Sequence, residues 1–277
     1  MHYMFIRRSF LLVLAVSLAL TGPLWAQSEG DAAGSGPALW EVSEGETRAY
    51  LFGTIHLMTE GVEWFTGPVR DAFVSSDTLV VEINQQNVSQ EEQQSIVQSL
   101  AFLPQSEQLS EILSESTMES LTELLDPLGV PVRAVERWKP WYAGLTATAV
   151  LAQRAGFLPS YGVDVSLVER ASSGDTRIQA LESVEEQFRL FDSLNREEGK
   201  YLVRDTLEEQ GKLRQVFVDM RDAWMSRDLE ALESLMLEAR EEEPDFYEDV
   251  FVDRNRDWTE ELVSMFEEED GPLFVAV

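Results

Sequence analysis

The sequence has no cysteine. That excludes a disulfide framework, a thiolate nucleophile, a cysteine-ligated zinc site and a lipid-anchored cysteine. Histidine is almost as scarce: His2 and His56 are the only two among 277 residues, so no His-Glu-x-x-His zinc-peptidase motif exists. Positive charge is short as well, with 21 Lys+Arg against 51 Asp+Glu and a formal net charge of −30. Phosphate contacts need clustered Lys and Arg, which argues against nucleic acid as a partner. No stretch reaches the roughly 20 apolar residues of a spanning helix. Trp141 to Ala155 comes nearest after the N-terminal region, but it carries Gln153 and Arg154 and reads as a core helix. The 44% hydrophobic and 10% aromatic content suits a folded domain and not an acidic disordered tail.

Residues 1–26 have the layout of a bacterial signal peptide. Arg7 and Arg8 form a basic start, Phe10 to Leu20 is almost wholly apolar, and Leu24-Trp25-Ala26 offers a cleavage site. Arg7-Arg8-Ser9-Phe10-Leu11 also looks like a twin-arginine signal, and a retained N-terminal anchor is the alternative to cleavage. The expectation is a periplasmic or secreted protein with no stable membrane span after cleavage. Residues 27–38 form a Gly-, Ser- and Ala-rich flexible lead-in, and residues 39–277 a single domain. Without the two arginines of the leader the net charge is −32, and the only lysines are Lys139, Lys200 and Lys212. Such a surface stays soluble in high salt, where screening removes self-repulsion, so a saline habitat is expected.

Leu39 to Val42 and Arg48 to Ile55 read as two strands of a hairpin, with Ser43-Glu44-Gly45-Glu46 supplying turn chemistry. Thr66 and Pro68 open a short helix. Thr78 to Ile83 is a nearly continuous apolar run, the pattern of a strand buried on both faces. Helices are predicted over Ser89–Ala101, Ser116–Leu125, Pro140–Ala155 and from Ser160 to Ala171, and a short strand over Arg177–Leu181. Ser183 to Glu186 fits a capping box, followed by Val184, Phe188, Phe191 and Leu194 at helical spacing. Residues 195–269 read as mostly helical and charged, with Asp228 and Asp245 as helix starts, and Leu273 to Val277 as a final buried strand. The fold class is α/β: a mixed, mostly parallel sheet flanked by helices, with a helical insertion in the C-terminal half.

Two residues stand out chemically. A lone histidine is more often structural than catalytic. His56, however, ends a predicted strand, in Gly53-Thr54-Ile55-His56. Glu82 sits inside an apolar run, and a buried carboxylate is costly unless it is paired or binds a metal. An arginine partner, or a position at the wet end of the strand, is the plain alternative. If the strands before His56 and around Glu82 were parallel neighbours, the two side chains would converge at the carboxyl edge of the sheet, where open α/β sheets place ligands. Glu182 would emerge at the same edge. It and Asp164 are equally readable as acids at helix starts, favoured there by the dipole. One imidazole with carboxylates suits Mn²⁺ or a similar metal, though it is short of nitrogen ligands.

These residues lie in stretches that resemble the TraB/GumN family, which is related to the TIKI-type membrane proteases and more distantly to erythromycin-esterase-like enzymes. The matching stretches are Leu39-Trp40-Glu41-Val42, Tyr50 to Met58, Leu79 to Ile83, Lys139-Pro140-Trp141, Gly162-Val163-Asp164, Ala180 to Ser183 with Gln187, and Arg254-Asn255. The resemblance implies a metal-dependent hydrolase-like site built from two Gly-x-x-His motifs, a Glu and an Arg. Gly53 to His56 is the first motif, Glu82 the Glu and Arg254 the Arg. His56, Glu82, Glu182 and Asp164 are then the expected metal-contacting residues. The family's second Gly-x-x-His would follow the last buried strand, and the sequence stops at Val277, so the expectation is a chain that lacks that half of the site.

Three readings follow. The first is an exported metal-dependent hydrolase of peptide or ester bonds, with His56, Glu82 and Arg254 carrying the chemistry. The second is a non-catalytic periplasmic protein binding a cationic or cell-envelope partner. The third is a truncated product whose uncovered last strand invites aggregation.

Overall fold

The computed structural model describes residues 36–45, 47–242, 244–268 and 271–277. The expected signal peptide and most of the lead-in lie outside the described residues. Five strands form one sheet in the order β1-β2-β5-β3-β4: β1 (Leu39–Glu44), β2 (Thr47–Phe52), β3 (Thr78–Val81), β4 (Arg177–Ala180) and β5 (Leu273–Ala276). β1 and β2 make the predicted antiparallel hairpin, turned at Gly45 with φ +64°. All other pairings are parallel.

The strand before His56 is shorter than its apolar pattern suggested, ending at Phe52. It is not a neighbour of β3 either. β5 lies between them, pairing Ala276 with Phe52 on one side and with Val81 on the other. Side chains alternate across a strand, and here both faces are covered. Phe52, Leu79, Val81, Phe274 and Ala276 enter the main core on one face. Val80, Leu273 and Val275 enter a second core, with Trp258, on the other.

Twelve helices surround the sheet among the described residues: α1 (Gly67–Val74), α2 (Gln90–Leu100), α3 (Glu115–Leu125), α4 (Val132–Val135), α5 (Pro140–Arg154), α6 (Val163–Ser172), α7 (Val184–Asp192), α8 (Arg196–Glu208), α9 (Gln210–Ser226), α10 (Leu229–Glu242), α11 (Pro244–Tyr247) and α12 (Arg254–Glu268). A π-helical stretch, Glu248–Asp253, joins α11 to α12. Two of the capping signals act as expected, whereas Thr66 makes no side-chain cap bond to α1 and Asp245 lies inside α11, which starts at Pro244. Ser183 and Glu186 form the reciprocal box of α7, and Asp228 accepts from the Ala231 amide at the start of α10. The helix expected from Ser160 begins at Val163, because Pro159–Tyr161 forms a 3₁₀ turn first.

The helical segment after residue 195 is integral to the fold. Val203 and Leu207 of α8 and Leu213, Val216, Phe217, Met220 and Trp224 of α9 belong to the main core. α8 lies close against α5: a methyl at Gly144 would stand 2.5 Å from Leu202, so only glycine admits this approach. No helix of the described residues is long and apolar enough to cross a membrane.

Candidate functional site

The parallel strands bring the segments after β2, β3 and β4 out at one edge. Glu82 follows β3 directly, and Glu182 follows β4 after Leu181. His56 has farther to travel, since β5 stands between. The chain from Gly53 to His56 crosses the end of β5, with the Thr54 amide donating to the Val277 carbonyl at 2.8 Å. The Trp224 indole N–H holds the Gly53 carbonyl at 2.9 Å, and the Val163 amide holds the Ile55 carbonyl at 2.9 Å. His56 thereby reaches Glu82, with Nε2 3.7 Å from Oε1.

Asp164 meets the other nitrogen, its Oδ1 3.3 Å from Nδ1. Gly162 makes that contact possible. A Cβ there would lie 2.4 Å from the His56 carbonyl oxygen and 2.9 Å from Asp164 Oδ1. Arg254 arrives from the opposite side, at the end of the π-helical stretch, a distortion that recurs at functional sites. Its Nη2 donates to Glu82 Oε2 at 2.7 Å and also bonds Glu182 Oε1, while Nε donates to Glu182 Oε2 at 3.1 Å. The guanidinium lies 4.2 Å over the ring of Trp258, one helical turn on. Gln187 of α7 donates to Glu182 at 3.4 Å. The structure thus brings together all five residues singled out in the sequence: His56, Glu82, Asp164, Glu182 and Arg254.

Their electrostatics follow from who faces whom. Burial lowers the affinity of His56 for its proton, but the Asp164 carboxylate outweighs it, helped by Glu82, and the imidazole pKa rises from 6.5 to about 9. Burial likewise raises the Glu182 carboxyl, against the pull of Arg254. Arg254 itself is desolvated yet held charged by Glu182 and Glu82, so its pKa moves up.

Two atoms have the chemistry of metal ligands, His56 Nε2 and Glu82 Oε1. Glu82 Oε1 is buried with no hydrogen-bond partner. Asp164 on the far nitrogen is placed to orient the imidazole. These two donors, with Asp164 behind the ring, are all that this cluster offers a cation. Glu182, expected as a ligand, has both oxygens bonded to Arg254. No group of three or more His, Asp or Glu side chains among the described residues is arranged to hold a metal. What the residues alone did not signal was the Arg254–Trp258 pair. Its i, i+4 spacing on a helix is a signal, but one shared by many core positions.

A family model described as TraB/PrgY/gumN matches residues 38–277. The chain is 24% identical over 203 residues to the protein YbaP of Shigella flexneri and to YbaP of Escherichia coli (strain K12), covering 73% of this chain and 73% of each relative. A protein of Treponema pallidum is 24% identical over 165 residues, 60% of this chain and 49% of its own length. No solved structure matches the chain. With a family model spanning the whole sheet and all five residues of the edge cluster, the chain belongs to the TraB/PrgY/gumN family.

Proposed function

We propose that this protein is an exported metal-dependent hydrolase of peptide or ester bonds. The observation that carries this reading is the buried Glu82 Oε1, which has no hydrogen-bond partner and faces His56 Nε2 at 3.7 Å. Glu82 is already paired with Arg254 through Oε2, so Oε1 is its one oxygen open to a bound cation. His56 and Glu82 would hold the metal. A divalent cation bound there supplies Lewis-acid polarisation of a carbonyl or a water of lowered pKa.

The chain's own residues do the rest. The Asp164 carboxylate orients the imidazole by its charge, 3.3 Å from Nδ1, which turns Nε2 toward Glu82. Arg254 holds Glu82 through Oε2 and so leaves Oε1 pointing at the histidine. Nε and Nη2 of Arg254 carry the carboxylate bonds, and Nη1 is the group left to face a developing oxyanion. Trp258 shields one face of the guanidinium from water. The leader-like residues 1–26 support action outside the cytoplasm.

The test is metal titration by calorimetry with MnCl₂, alongside hydrolysis of a peptide mixture and of p-nitrophenyl esters. His56→Ala and Glu82→Gln should each abolish metal binding and lower turnover by a factor of about 10² or more. Variants that keep full metal content and full activity would remove the reading.

A further inference from the structure

We propose that the open side of this site is a slot for one compact apolar side chain next to the carbonyl that is cut; this rests on the hydrolytic reading above. A cavity of about 260 Å³ opens beside the charged cluster. One end is His56, Glu82, Asp164 and Arg254, and the remaining wall is largely apolar. Leu57, Ile83, Val165, Leu190 and Phe191 supply most of it, with Gln85 and Gln187 as its polar members. Leu57 is core, but Ile83, Val165, Leu190 and Phe191 are only half-buried, so their apolar surface faces the cavity wet. Apolar walls converging on a few fixed polar groups are the composition of ligand sites.

The wall is also stiff. Leu190 and Phe191 sit on α7, the helix opened by the Ser183–Glu186 capping box. Phe191 stacks on Trp141 at 6.1 Å between ring centres. Asp192, the next residue, accepts from Lys139 at 2.5 Å and from the Trp141 indole at 3.1 Å, which ties the helix to the start of α5.

Size and charge narrow the ligand. The cavity has room for a leucine or phenylalanine side chain with its carbonyl, and a long lipid tail would outrun its few apolar side chains. The wall away from the charged end carries no cation, so an acidic side chain laid against it would lose its hydration without a partner.

The experiment is equilibrium binding followed by NMR on the chain from Gln27, in MnCl₂. The probes are the N-acetyl amides of glycine, alanine, valine, leucine, phenylalanine and glutamate, with octanoyl and dodecanoyl glycinamide as lipid-like controls. Affinity should rise about fourfold for each carbon added from alanine to leucine. The glutamate amide should bind at least about tenfold more weakly than the leucine amide. Val165→Asn and Leu190→Gln, on separate helices, should each weaken the leucine amide about tenfold and leave the glycine amide unchanged. A flat series overturns the slot, and so does an affinity that keeps climbing to the dodecanoyl chain. Hydrolysis of the matching p-nitroanilides is read separately. Graded binding without turnover removes the hydrolytic reading and keeps the slot. Turnover with flat binding removes the slot alone.

Discussion

Asp164→Asn is the most informative single change. The wild-type carboxylate stands 3.3 Å from His56 Nδ1. Opposite charges at that distance attract by about 5 kcal/mol at an effective dielectric of 20. Burial of the ring opposes this, and the balance places the imidazole pKa at about 9, against 6.5 in an unstructured chain. That difference is worth about 3 kcal/mol of stability. Because the folded value is the higher one, this stability is fully present below pH 6.5 and is lost as pH rises through about 9. Asparagine keeps the size and loses the charge. Burial then dominates, and the pKa should fall to the ordinary imidazole range or below it. Two assays read this. Imidazole NMR is unusually clean, since a chain lacking the leader has His56 as its only histidine. Urea unfolding at several pH values gives the second: the gap between wild type and variant should be widest near pH 6 and close toward pH 10. An imidazole that still titrates near 9 in the variant would refute the assignment of Asp164 as the group that holds the proton.

Gly162→Ala should act on the same pair without touching either charge. Its methyl would meet the His56 carbonyl oxygen and Asp164 Oδ1, so it should cost about 1–3 kcal/mol in urea unfolding and lower the His56 pKa by NMR. Arg254→Met should cost about 3–5 kcal/mol, because it leaves Glu82 and Glu182 buried without their cation. That deficit should shrink as pH falls through the carboxylate range and the acids take up protons, which a pH series of unfolding curves would show. With a net charge of −30, the protein should gain stability as NaCl is raised from low to molar concentration, and a melting temperature indifferent to salt would contradict the self-repulsion account.

Much of the fold was legible because its signals were local. The apolar run before Glu82 marked a strand covered on both faces, and Ser183 with Glu186 marked a helix start; both are short-range patterns. Strand order was not legible. The hydrophobic pattern of Leu273 to Val277 says that the strand is buried, not that it separates β2 from β3. His56 and Glu82 converge for a different reason than neighbouring strands would give: the Gly53–His56 segment bends over the end of β5. In the site, Glu82 announced itself as a charge among apolar residues, and His56 by scarcity. Arg254 had no such signal. It sits in a charged helical stretch with Asp253, Arg256 and Asp257, and only the family resemblance separated it from them. The role of Gly162 was equally hidden, because a demand for empty space leaves no periodicity in a sequence.

The central place of β5 has a consequence for how the molecule is made. The chain passes from residue 81 to residue 273 before it supplies the strand that joins β2 to β3. Pairings so distant in sequence are reached late in folding, after the entropy of closing a long loop has been met. Until then the β1–β2 hairpin and the β3–β4 pair each present an unpaired edge, the kind of surface that chaperones guard and aggregates grow from. His56 and Glu82 stand on opposite sides of that gap. A half-folded chain therefore has no assembled centre, and whatever chemistry the cluster performs switches on only when the sheet is zipped shut.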